Sequence, residues 1–119
     1  MRDSEAYREH LRTMRPNVRM DGEVVPRDHP WFQPAANCVA TTLDLPRDTQ
    51  NEELMTAISH LTGKKINRYL HIHQSPEDLQ MKQKMIRTNC RIAGGCMQRC
   101  MGMDALNACG IGLYETGAP

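Results

Sequence analysis

Ser75-Pro76-Glu77-Asp78, the run from Leu79 to Gly94-Gly95, and then Cys96-Met97-Gln98-Arg99-Cys100 form the stretch on which this 119-residue chain turns. A Ser cap, Pro at the first helical position and two acids in the first turn make the strongest helix start in the sequence, and they predict a long helix. At about 100° per residue, Leu79, Ile86, Cys90, Ala93, Met97 and Met101 fall on one apolar stripe, with Lys84, Arg87, Arg91 and Arg99 on the other side. Gly94-Gly95 interrupts the pattern. Each Gly costs about 1 kcal/mol relative to Ala inside a helix, so the pair marks a kink or a place where something packs close to the backbone.

On a continuous helix Cys96 and Cys100 share one face with Cβ atoms about 5–6 Å apart, which suits two thiols for one metal centre. The same helical count turns Cys90 roughly 120° from Cys96 and sets Cys109 opposite Cys100, so neither is a natural third ligand. The remaining ligands must then come from elsewhere. Spacing alone favours the plainer alternative, because buried Cys is a common small core residue and Met97 with Met101 would complete a sulfur-rich packing face. Zinc is a further alternative, with His71 and His73 closing a tetrahedral site with Cys96 and Cys100.

Working outward, Lys64 to Gln74 carries no helical stripe and reads as an extended, His-rich connector or loop. Thr49 to Leu61 reads as a helix capped by Asn51 or Thr49, with Glu52 and Glu53 at its positive end, an apolar face of Leu54, Ala57, Ile58 and Leu61, and Gly63 as its exit. Ala35 to Leu43 is a further apolar helical segment, stopped by Pro46. Val18 to Val25, centred on Asp21-Gly22, has the signature of a tight hairpin. Ser4 caps a first helix over Glu5 to Met14, which Pro16 ends. The fold class expected is mainly α with a short β-hairpin near residues 18–25, in one domain spanning 1–119.

Composition sets the outer bounds. Nine Met against five aromatic residues predict a soft core of aliphatic and thioether side chains that expects a partner surface. The formal charge of +1 implies neither nucleic-acid nor membrane-surface binding. Between Lys64 and Arg99 eight Lys and Arg stand against Glu77 and Asp78, which reads first as a solvated helix face. No run approaches the roughly 20 apolar residues of a membrane span, and the charged start from Met1 to His10 is unlike a signal segment, so a cytoplasmic protein is expected. In that reducing setting the five cysteines read as thiols or metal ligands before disulfides.

The blocks Met55-Thr56-Ala57, Ser59-His60-Leu61-Thr62-Gly63, Lys65-Ile66-Asn67-Arg68, His71-Ile72-His73-Gln74-Ser75 and Cys96 to Ala105 closely resemble the N-terminal region of 4-hydroxybutyryl-CoA dehydratases. Those enzymes belong to a larger group with the flavin-dependent 4-hydroxyphenylacetate 3-hydroxylases, which lack the cysteine pair. The resemblance covers nearly all of the chain and is weaker before His29. It implies the helical N-terminal region of an acyl-CoA-dehydrogenase-like fold, whose β-rich middle and C-terminal helix bundle lie beyond position 119. It also implies a homotetramer that dehydrates 4-hydroxybutyryl-CoA to crotonyl-CoA and isomerises vinylacetyl-CoA, using FAD and a 4Fe-4S cluster held by three Cys and one His. Cys96 and Cys100 fall on the first two cluster ligands. The other two ligands, the carboxylates near the acyl-CoA substrate and most FAD contacts would lie downstream, in remaining domains or a complementary subunit.

Overall fold

The computed structural model describes residues 3–96 and 98–117. Two compact units divide it, residues 1–44 and 45–119.

In the first unit, helix α1 (Ser4–Thr13) is capped by Asp3, one residue before the Ser expected, whose carboxylate accepts from the Ala6 N–H at 2.9 Å. Strands β1 (Val18–Met20) and β2 (Glu23–Val25) form the expected antiparallel hairpin. Asp21 and Gly22 both take positive φ, 51° and 87°, as a type I′ turn requires. Helix α2 (Gln33–Asp44) buries Ala36, Ala40 and Thr42, and is tied to α1 by the Arg8 guanidinium, which donates to Gln33 Oε1 at 3.0 Å and Asn37 Oδ1 at 2.6 Å.

The second unit departs from expectation at its start. The helix expected over Thr49 to Leu61 lasts one turn, α3 (Glu52–Met55), and gives way to strand β3 (Thr56–Ile58), paired antiparallel with β4 (Lys65–Asn67). Ile58 and Leu61, read as part of a buried face, are exposed. The cause lies in Arg68. Continued helix would use the carbonyls of Glu53 and Leu54 for the N–H groups four residues on. Instead the Arg68 guanidinium donates to Leu54 O at 2.8 Å, Glu53 O at 3.1 Å and Thr56 O at 2.5 Å, so the chain can turn into a β-branched strand without orphaned carbonyls.

Helix α4 (Pro76–Ala93) begins as expected, with Ser75 Oγ accepting from the Asp78 N–H. It ends at Gly94, whose φ of 76° closes the helix while the N–H groups of Gly94 and Gly95 both return to Cys90 O. Helix α5 (Arg99–Thr116) then restarts. The single kinked helix is therefore two helices. The buried line of α4 also differs from the apolar stripe. Met85 and Asn89 are fully buried, whereas Leu79 is 48% exposed and Met101 on α5 is 63% exposed; Met97 lies outside the described residues. The core is sulfur-rich, as the composition predicts, with Met55, Tyr69, Met85 and Met103 at its centre and Leu45, Leu54 and Ile86 packed against them.

Candidate functional site

The break between α4 and α5 relocates the cysteine pair. Cys96 is exposed in the connecting turn, and only Cys100 lies on a helix, in the first turn of α5. The shared helical face expected for them is not formed. Gln98 between them holds a positive φ of 58° and caps α5 without a side-chain hydrogen bond, while its carbonyl accepts from the Met101 N–H at 3.1 Å at the positive end of this 18-residue helix. All five cysteines are free thiols.

The turn closes over Tyr69, which follows β4 in a 3₁₀ turn (Arg68–Leu70) and is 5% exposed. Burial pushes the Tyr69 phenol up to about 12, with Arg99 working in the opposite direction and the thiols of Cys90, Cys100 and Cys96 adding to the rise. The three cysteines thus bear on one phenol. The Arg99 guanidinium sits over the Tyr69 ring, 5.1 Å from its centroid. Its Nε is sealed from solvent without a hydrogen-bond partner among the described residues. The basic face read from the sequence holds for Lys84, Arg87 and Arg91, all exposed, but not for Arg99.

A second polar cluster lies on the His-rich connector. The buried His71 places Nε2 3.1 Å from Asp78 Oδ2, and that carboxylate also accepts from the Gln74 N–H at 2.8 Å, with Arg68 Nη1 3.9 Å from its other oxygen. Burial alone would raise the Asp78 carboxyl, but the Gln74 N–H, His71 and Arg68 together hold it below its usual range. His73 is lowered by burial, then by Lys82 and His71, while its backbone N–H donates to Asn107 Oδ1 on α5 at 2.7 Å. Asn107 in turn donates to His71 O at 3.2 Å, so the connector is laced to α5 through a side chain that sequence reading passed over.

This cluster should make stability fall with acid. His73 has a lower folded pKa than unfolded, so the unfolded chain binds protons first, and stability drops as pH falls through about 6.5 and below. The depressed Asp78 adds stability that is present above about 3.9 and lost as pH falls through its folded value. Urea midpoints measured from pH 7 to 3 should decline in both windows, and His73→Gln should flatten the upper one.

Among the described residues no three His, Cys, Asp or Glu side chains converge as a metal would require, so the zinc site of His71 and His73 with Cys96 and Cys100 is not formed. Cys109 is exposed on α5. The donor chemistry at the turn suits half of an iron–sulfur site: two free thiols beside a cation, with the remaining ligands to come from outside. Beyond it, an apolar groove of about 810 Å³ is lined by Leu61, Ile72, His73, Ile111, Leu113 and Tyr114. Among the described residues no helix is long and apolar enough to cross a membrane.

Residues 3–118 match the 4-hydroxyphenylacetate 3-hydroxylase N-terminal family. The chain is 46% identical over 114 residues to 4-hydroxybutyryl-CoA dehydratase/vinylacetyl-CoA-Delta-isomerase of Clostridium aminobutyricum, covering 94% of this chain and 23% of that one. An oxygen-tolerant archaeal 4-hydroxybutyryl-CoA dehydratase from N. maritimus superposes with a TM-score of 0.82 at 44% identity, over 89% of this chain and 21% of that one. The chain therefore spans about a fifth of the length of these relatives.

Proposed function

Because the chain belongs to the 4-hydroxyphenylacetate 3-hydroxylase N-terminal family, we propose that it forms the N-terminal part of a 4-hydroxybutyryl-CoA dehydratase, with Cys96 and Cys100 as two ligands of a 4Fe-4S cluster. The observation that carries this reading is the cysteine pair at the open end of α5 in a chain so similar to two dehydratases. The pair also favours the dehydratase over the flavin-dependent hydroxylase branch. When bound, the cluster would supply a Lewis-acidic iron for the leaving hydroxyl, and FAD, held mostly outside this chain, would supply the one-electron chemistry that acidifies an unactivated β-hydrogen.

The chain's own residues would do the anchoring. Cys96 and Cys100 tie the cluster to a turn whose base, Tyr69 and Met103, is fixed in the core. The other ligands, the catalytic carboxylates and the acyl-CoA site would belong to the remaining domains or a complementary subunit, assembled as a homotetramer. The exposed groove lined by Ile111, Leu113 and Tyr114 supports a need for such covering. By this reading the chain is inactive alone.

Anaerobic co-purification of the chain with its completing polypeptide, followed by assay of crotonyl-CoA formation from 4-hydroxybutyryl-CoA, tests the proposal. Activity should accompany flavin and iron, and Cys96→Ala or Cys100→Ala should abolish it. Flavin without iron would move the chain to the hydroxylase branch.

A further inference from the structure

We propose that Arg99, held over the ring of Tyr69, is a positioning residue for the cluster site, placing a fixed positive charge beside the anionic iron–sulfur group that Cys96 and Cys100 would hold. The inference rests on the iron–sulfur reading above and goes beyond it by assigning a role to a residue that supplies no ligand.

Three observations converge on Arg99. Its guanidinium is parked 5.1 Å from the Tyr69 centroid, an arrangement that draws a cation to an aromatic face and fixes it in place. Its Nε is sealed from solvent and finds no acceptor among the described residues, although buried N–H groups are nearly always satisfied, which leaves a donor that an anionic or sulfur acceptor would complete. Among the described residues it forms no ion pair with a carboxylate, whereas Lys82 pairs with Asp104 and Arg68 faces Asp78. Among the described residues, then, its charge faces the Tyr69 ring and no carboxylate.

The surroundings give that charge an object. Arg99 opens α5 immediately before Cys100, where the positive end of the helix lacks a side-chain cap. The Tyr69 phenol beneath it lies within electrostatic reach of Cys90, Cys96 and Cys100 together. Thiolates and cluster sulfides are negative, and one-electron reduction adds a further negative charge. A neighbouring cation stabilises the reduced form and raises the potential, as second-shell charge and hydrogen bonds do at such sites. Tyr69 serves as the platform that keeps the guanidinium from swinging into solvent.

The test uses the chain reconstituted anaerobically with iron and sulfide in the presence of a small thiol to fill the open coordination positions. Midpoint potential is read by spectroelectrochemistry and folding by thermal melt. Arg99→Met should keep the melt and the chromophore but lower the midpoint. Arg99→Lys should recover most of the wild-type value, Tyr69→Phe should leave it unchanged, and Tyr69→Leu should shift it in the same direction as Arg99→Met. A loaded Arg99→Met variant with the wild-type midpoint overturns the proposal while leaving the ligand assignment intact. A wild-type chain that takes up no iron overturns both.

Discussion

Arg68→Ala should destabilise the chain by about 3–5 kcal/mol, the largest loss expected of any single substitution. The Arg68 side chain is 9% exposed, and its donors satisfy the carbonyls of Leu54, Glu53 and Thr56 while facing Asp78. Truncation leaves those carbonyls without their donor at the point where α3 becomes β3, and leaves Asp78 without its guanidinium neighbour. Burial lowers the Arg68 pKa against the pull of Asp78 and Glu53, but the group stays charged near neutrality. Lys at this position should recover only a small part, because one ammonium cannot reproduce a planar fork of donors. Urea unfolding at pH 7 measures the difference. An Arg68→Ala variant within 1 kcal/mol of wild type would contradict the role given to it here.

Met85→Ala comes next, at about 2–5 kcal/mol. Met85 is fully buried at the centre of a core built from Met55, Tyr69 and Met103. Removing its thioether opens a cavity that Asn89, also fully buried and bonded to Met85 O at 3.1 Å and to Met55 Sδ at 3.5 Å, cannot fill. Met85→Leu conserves volume and should cost under about 1.5 kcal/mol. The contrast between the two variants separates a packing role from a specific need for sulfur.

The sequence made local structure legible where a local device sets it. Ser75-Pro76-Glu77-Asp78 marked the start of α4, Asp21-Gly22 marked the first hairpin, and the Met content foretold a thioether core. What failed depended on residues far along the chain. The helix expected over Thr49 to Leu61 was cut short by Arg68, more than ten residues downstream. The apolar stripe of α4 differs from its inward-facing line because that line includes polar side chains whose partners a periodicity cannot see: half-buried Asp78 with His71, half-buried Lys82 with Asp104, and buried Asn89 with Met55.

The site was legible in part for a similar reason. Cys96 and Cys100 stood out by residue type and by their place in the family-like blocks. Their geometry did not follow from spacing, since Gly94 ends the helix that would have aligned them. Gly94-Gly95 is the sequence signal for this, since a glycine in the left-handed region closes a helix instead of bending it. Helical count makes Arg99 one more exposed base. Only the fold of the turn shows it lying over an aromatic ring.

The most direct test of the central claim is the iron and acid-labile sulfide content of the chain after anaerobic reconstitution with a small thiol, beside its Cys96→Ala and Cys100→Ala variants. The account predicts a brown, oxygen-sensitive wild type containing iron and sulfide in equal amounts, and colourless variants that melt like it. A colourless wild type, or a chromophore that survives loss of both thiols, would contradict it.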